Sequence, residues 1–103
     1  VFELYLRQSF IIEDMGEIKA EFNFINSKYK DVSADQLTYN DALRVLVAGK
    51  KAITRLRQLH PLAKGITKET IDKYIIDILE KSYEINTIVL TNVIKAINDE
   101  VPI

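Results

Sequence analysis

Two stretches of this chain repeat apolar residues at alternating spacings of four and three. In the first, Leu4, Gln8, Ile11, Met15, Ile18, Phe22 and Ile25 follow one another without a break, and Gln8 is the only polar member. In the second, Ile71, Ile75, Ile78, Ser82, Ile85, Val89, Val93 and Ala96 keep nearly the same rhythm. Residues so spaced share one stripe of a helix, and no two-residue alternation of a strand fits beside them. Only three Gly and two Pro occur in 103 residues, too few to cut such runs into a turn-rich β fold. The chain is therefore expected to be all-α.

Punctuation divides it into three helices. The first spans about 2–29. Lys30 to Leu37 breaks the pattern, with Asp31, Ser33 and Asp35 as turn and cap residues. Ser33 with Gln36 and Thr38 with Asp41 form competing capping boxes. The second is preferred and starts a helix over about 39–59 with Leu43, Leu46, Ile53 and Leu56 inward. His60-Pro61 ends that helix, because proline disfavours helical backbone in the residue before it. Gly65 lies in the connection. Thr67 is expected to cap a third helix over about 68–98, with Glu69 in its first turn and Pro102 beyond its end. The expected architecture is an antiparallel, up-down-up bundle of three long helices in a single domain, 1–103. A short extra helix near 31–37, or a fourth helix supplied by a partner, would fit this plan. Gly16 and Gly49 mark expected close approaches. The chain opens on Val1 rather than Met, as a processed or trimmed protein does.

A second apolar set widens two of the helices. Leu6, Phe10, Ile12 and Phe24 do so on the first, and Tyr74, Leu79, Tyr83, Leu90, Ile94 and Ile97 on the third. Three helices need less apolar face than this, so a protein partner or a homo-oligomer is expected. Ile78, Leu79, Tyr83, Leu90 and Ile94 are the candidate interface residues.

Charge is segregated although the net charge is only −1. Residues 42–68 hold seven basic side chains and no acidic one: Arg44, Lys50, Lys51, Arg55, Arg57, Lys64 and Lys68. Residues 1–41 and 69–103 are each net acidic by four. The second helix therefore faces either acidic helices of its own fold or an anionic partner. Arg44, Lys51 and Arg55 fall on one arc and are the candidate anion- or partner-binding residues. Lys50 and Arg57 flank the core side, within reach of acidic neighbours. Nucleic acid is disfavoured by the acidic pI near 5.8 and by the lack of aromatics among the basic residues.

Catalytic chemistry finds few parts here. Without Cys there is no disulfide, thiolate metal site or cysteine nucleophile. His60, the sole histidine, with Lys64-Gly65 loosely resembles the His-x-x-Lys-Gly motif of histidine phosphotransfer domains, with one residue too many and a proline at the helix end. Carboxylates cluster at Glu13, Asp14, Glu17 and at Glu80, Glu84, without the Glu-x-x-His pairs of di-metal bundles. No catalytic residue, metal site or cofactor is expected. No run reaches the ~18 apolar residues of a membrane span, and a cytoplasmic location is expected over a secreted one.

Residues 65–86 carry one family resemblance. Gly65-Ile66-Thr67, followed by Ile75-Ile76-Asp77-Ile78-Leu79-Glu80-Lys81-Ser82-Tyr83-Glu84-Ile85-Asn86, resembles the last helix of the all-helical chorismate mutases. The resemblance implies an interlocked helical dimer that binds a dicarboxylate through Arg and Lys. Ser82 and Asn86 would face the pocket, and Asp41-x-x-Arg44 would match part of the second-helix motif. Val45 stands where that motif has Glu, and Asn86 where the family has Gln or Glu. Arg7, Lys19 and Lys30 do not reproduce its first-helix spacing. The leading expectation is a non-enzymatic interaction or regulatory domain, with apolar faces of helices 1 and 3 binding a partner and the basic face of helix 2 steering it. A small mutase-like enzyme is the alternative.

Overall fold

A computed structural model describes the backbone of residues 2–100. The side chains of Phe2, Leu4 and Glu100, and all of Pro102, lie outside the described residues, so the seam position of Leu4 and the stop at Pro102 do too. Three helices follow in order: α1 (Phe2–Ser27), α2 (Tyr39–Leu59) and α3 (Gly65–Glu100). Short 3-10 turns at Ala34–Gln36 and His60–Leu62 join them. The expected extra helix near 31–37 is thus a single turn.

Each boundary has a local cause. At the end of α1, Lys28 and Tyr29 donate their N–H groups to carbonyls three residues back, which tightens the last turn into a bend. Thr38 caps α2 as expected: its Oγ1 accepts from the Asp41 N–H, and the Asp41 carboxylate accepts from the Thr38 N–H at 2.9 Å. Ser33 makes no such bond. The third helix starts earlier than the cap at Thr67 predicts. Gly65 takes φ +54, open to glycine, and turns the chain directly into helix, so Thr67 lies within the first turn.

The inward face of α1 follows its seam: Ile11, Met15, Ile18 and Phe22 are buried. Gln8, the polar member, has its own task. Its Nε2 donates to the Leu62 carbonyl at 3.1 Å and its Oε1 accepts from the Lys64 N–H at 3.0 Å, so it clamps the second connection. At the other end Asn92 of α3 donates to the carbonyls of Ala34 and Leu37 and fixes the first.

The second helix is turned differently from expectation. Ala42, Val45, Gly49, Ala52 and Leu56 face inward, while Leu43 and Leu46 are exposed. The reason is spacing. α2 packs on both α1 and α3, so the arc it presents to them must be thin. At Gly49 an added Cβ would sit 2.7 Å from Ser82 Oγ and 3.5 Å from both Ile78 and Phe22. Gly16 faces open space instead, and no close approach exists there.

The molecule is a rod of 69 × 22 × 16 Å with a radius of gyration of 17.7 Å, against about 13 Å for a compact chain of this length. Past Asn92, residues 93–99 of α3 are all exposed. Among the described residues no helix is long and apolar enough to cross a membrane.

Candidate protein-binding faces

Helical geometry sorts the surface into three faces. At 100° per residue, Arg44, Ala48, Lys51 and Arg55 lie on the flank of α2 turned toward α1. On α3 the flank toward α1 carries Tyr74, Asp77, Lys81 and Ile88. The opposite flanks of these two helices form a shared outer face, away from α1.

The α1 side of α2 holds the three basic candidates. Arg44 and Lys51 line a groove of about 620 Å³ with Ile25, Lys28, Tyr29, Leu43 and Val47. Arg55 sits lower and donates to the Glu21 carboxylate at 3.0 Å. It is the only one of the seven basic side chains in 42–68 that forms an ion pair among the described residues. Lys50 and Arg57, expected to reach acidic neighbours, lie exposed and unpaired on the outer face. The fold's own acidic groups therefore leave the basic helix largely uncompensated.

Between α1 and α3 runs a polar strip. The Lys19 ammonium contacts the Asp77 carboxylate, which also accepts Lys81 at 3.1 Å, and lies 5.5 Å from the centre of the Tyr74 ring. Burial, and secondarily the Lys81 charge, pull Lys19 down from 10.5 to about 8. Asp77 works the other way, but its charge is shared between two ammonium groups. Nearby, Lys81 donates to Asn23 Oδ1 at 3.3 Å. The strip sets α1 in register with α3.

The outer face is apolar. On α3 the residues Ile76, Leu79, Tyr83, Asn86, Leu90, Val93 and Ile97 keep an unbroken three-four spacing, a second seam about 100° round from the buried one. All but Asn86 are exposed, Tyr83 by 72% and Leu90 by 60%. Ile94 widens the stripe. Between Ile76 and Ile97, about 32 Å along the axis, no charged residue falls on it. α2 adds Tyr39 and Leu46 beside it, and further down Lys50, Ile53 and Arg57, while Leu43 lines the groove beside α1. Asn86 donates its Nδ2 to the Ser82 carbonyl at 2.8 Å.

Four of the five candidate interface residues, Leu79, Tyr83, Leu90 and Ile94, share this face. Ile78 does not: it is fully buried in the core beside Gly49 and offers nothing to a partner. The exposure of Leu46 beside Tyr39 on α2 was missed because leucines were assigned inward. The small residues at 42, 45, 49 and 52 were the available signal. On α1 the exposed apolar set is interrupted: Leu6, Phe10 and Ile12 are separated from Phe24 by Glu13, Asp14, Glu17 and Glu21.

The mutase-like residues do not converge. Ser82 is buried against Gly49, Asn86 points to the outer face, and Arg44 lies in the groove beside α1. His60 Nε2 lies 2.9 Å from Asp72 Oδ1 without hydrogen-bond geometry, at the end of α2 rather than mid-helix. The chain matches no protein-family model, no curated protein and no solved structure.

Proposed function

We propose that this is a non-enzymatic protein-interaction domain that works by burying the outer α2–α3 face against another protein surface. One observation carries the reading: the uncharged apolar seam from Ile76 to Ile97, exposed along its length. Monomeric proteins rarely leave so continuous an apolar strip in water, and such strips mark interaction sites. Tyr83 supplies a large aromatic anchor at its middle, the residue type favoured at binding hot spots. The unpaired Arg44, Lys50, Lys51 and Arg57 add a positive field that speeds and orients encounter with an acidic surface.

Site-specific photo-crosslinking tests this. A photoreactive phenylalanine analogue replaces Tyr83 in one variant and Glu13, on the acidic face of α1, in another. Discrete protein adducts from Tyr83 and none from Glu13 are expected in cells expressing the chain. Equal labelling from both positions, or none from Tyr83, would contradict the proposal.

A further inference from the structure

The occupant of the outer face can be specified further, on the reading that this face binds protein. We infer that it is a second copy of this chain, docked antiparallel about a two-fold axis near Asn86. The two α2–α3 pairs would then form a four-helix layer with an α1 on each outer side.

Three observations converge. The first is area. A compact 11.8 kDa monomer exposes about 5,900 Å², whereas this chain exposes 7636 Å². The excess, about 1,700 Å², falls in the range of roughly 1,000–2,500 Å² that one protomer contributes to an obligate dimer.

The second is the seam itself. Asn86 is its midpoint, with three apolar members on either side. A two-fold axis there sets Ile76 and Leu79 of one copy level with Ile97 and Val93 of the other, and Tyr83 level with Leu90. The end of α3 that overhangs its own bundle, residues 93–99, lands on the stretch of the partner left bare between Ile76 and Leu79. A closed, self-complementary contact of this kind is what two-fold symmetry requires. Asn86 is the sole polar member of the seam, a device that fixes register in helical cores.

The third is charge. α3 ends on Asp99-Glu100, acidic where the helix dipole is already negative. Asp99 forms no ion pair among the described residues. In the antiparallel dimer that end lies close to the level of the partner's Arg57, with Lys50 seven residues' rise further along the axis, so the acidic end enters the field of the partner's basic face, while Asp99 itself lies on the flank of α3 that carries Lys81. A parallel arrangement would put the two acidic ends together.

The chain lacks cysteine, so engineered thiols report cleanly. Asn86→Cys should form an intermolecular disulfide on mild oxidation and run at twice 11.8 kDa, whereas Glu13→Cys should not. Tyr83→Lys and Leu90→Asp, which face each other across the proposed two-fold, should each weaken dimerisation in sedimentation equilibrium by tenfold or so, about 1.4 kcal/mol, and together should restore it. Asn86→Cys failing to couple faster than Glu13→Cys, or a charged pair that does not restore association, would overturn the dimer. Adducts of other mass from the Tyr83 photoprobe would then leave the interaction reading standing with a different partner. Absence of any adduct would remove both.

Discussion

Single residues decide how close these helices stand. Gly49 has no Cβ because Ser82 Oγ fills that space, and Ser82 Oγ is buried without a hydrogen-bond partner. Overpacking costs about 1–3 kcal/mol, against about 1 kcal/mol gained in helix propensity by replacing Gly with Ala. Gly49→Ala is therefore expected to destabilise by up to ~2 kcal/mol in urea unfolding. In a Ser82→Ala background the same change should become neutral or stabilising. Additive effects would show that the two residues do not share this space. Gly16 meets nothing, so Gly16→Ala should raise stability by about 0.5–1 kcal/mol. Lys19 gives a pH signature. Folded, it titrates near 8 rather than at its ordinary 10.5. Between those values the unfolded chain holds more protons, so the Lys19 contribution to stability rises with pH across that window. The Lys19 13Cε resonance should titrate near 8, and Lys19→Met should remove the rise. A normal lysine titration would contradict the burial.

At the scale of elements, periodicity and punctuation carry most of the fold. Thr38 with Asp41 marked the start of α2, and His60-Pro61 its end, because both act through local backbone chemistry that a sequence displays directly. Thr38→Ala is expected to cost about 1 kcal/mol in thermal or urea unfolding; no loss would show that the cap is idle. The rotation of α2 was not legible by size. Leu56 is buried and Ile53 packs against the core as expected, but Leu43 and Leu46 are exposed: wedged between two helices, α2 turns Ala42, Gly49 and Ala52 inward instead, and that depends on neighbours in space. For the same reason Thr67 passed for a cap. A glycine at positive φ began the helix first, and single-residue propensity does not reveal which conformation the connection adopts. The α3 seam was readable, and four of its five candidate residues share a face. Ile78 failed because two adjacent seams differ by one helical position, a distinction that needs the partner helix.

For the whole molecule, the charge segregation pointed to either an internal or an external partner for the basic helix. Of the seven, only Arg55 forms an ion pair among the described residues, and the proposed external partner is the reading that takes up the other six. The same division runs through the shape: a thin rod, a core along one side of α2 and α3, and an uncovered apolar face along the other. The most direct test is mass in solution by light scattering, with circular dichroism as the check on folding. The wild-type chain is expected at twice 11.8 kDa. Leu79→Asp and Leu90→Asp should fall to the monomer with helicity kept, while Leu6→Asp and Ile12→Asp, also exposed but on α1, should remain dimers. A dimer that survives both α3 changes and is lost on changing Leu6 or Ile12 would place the interface on α1 and contradict the account.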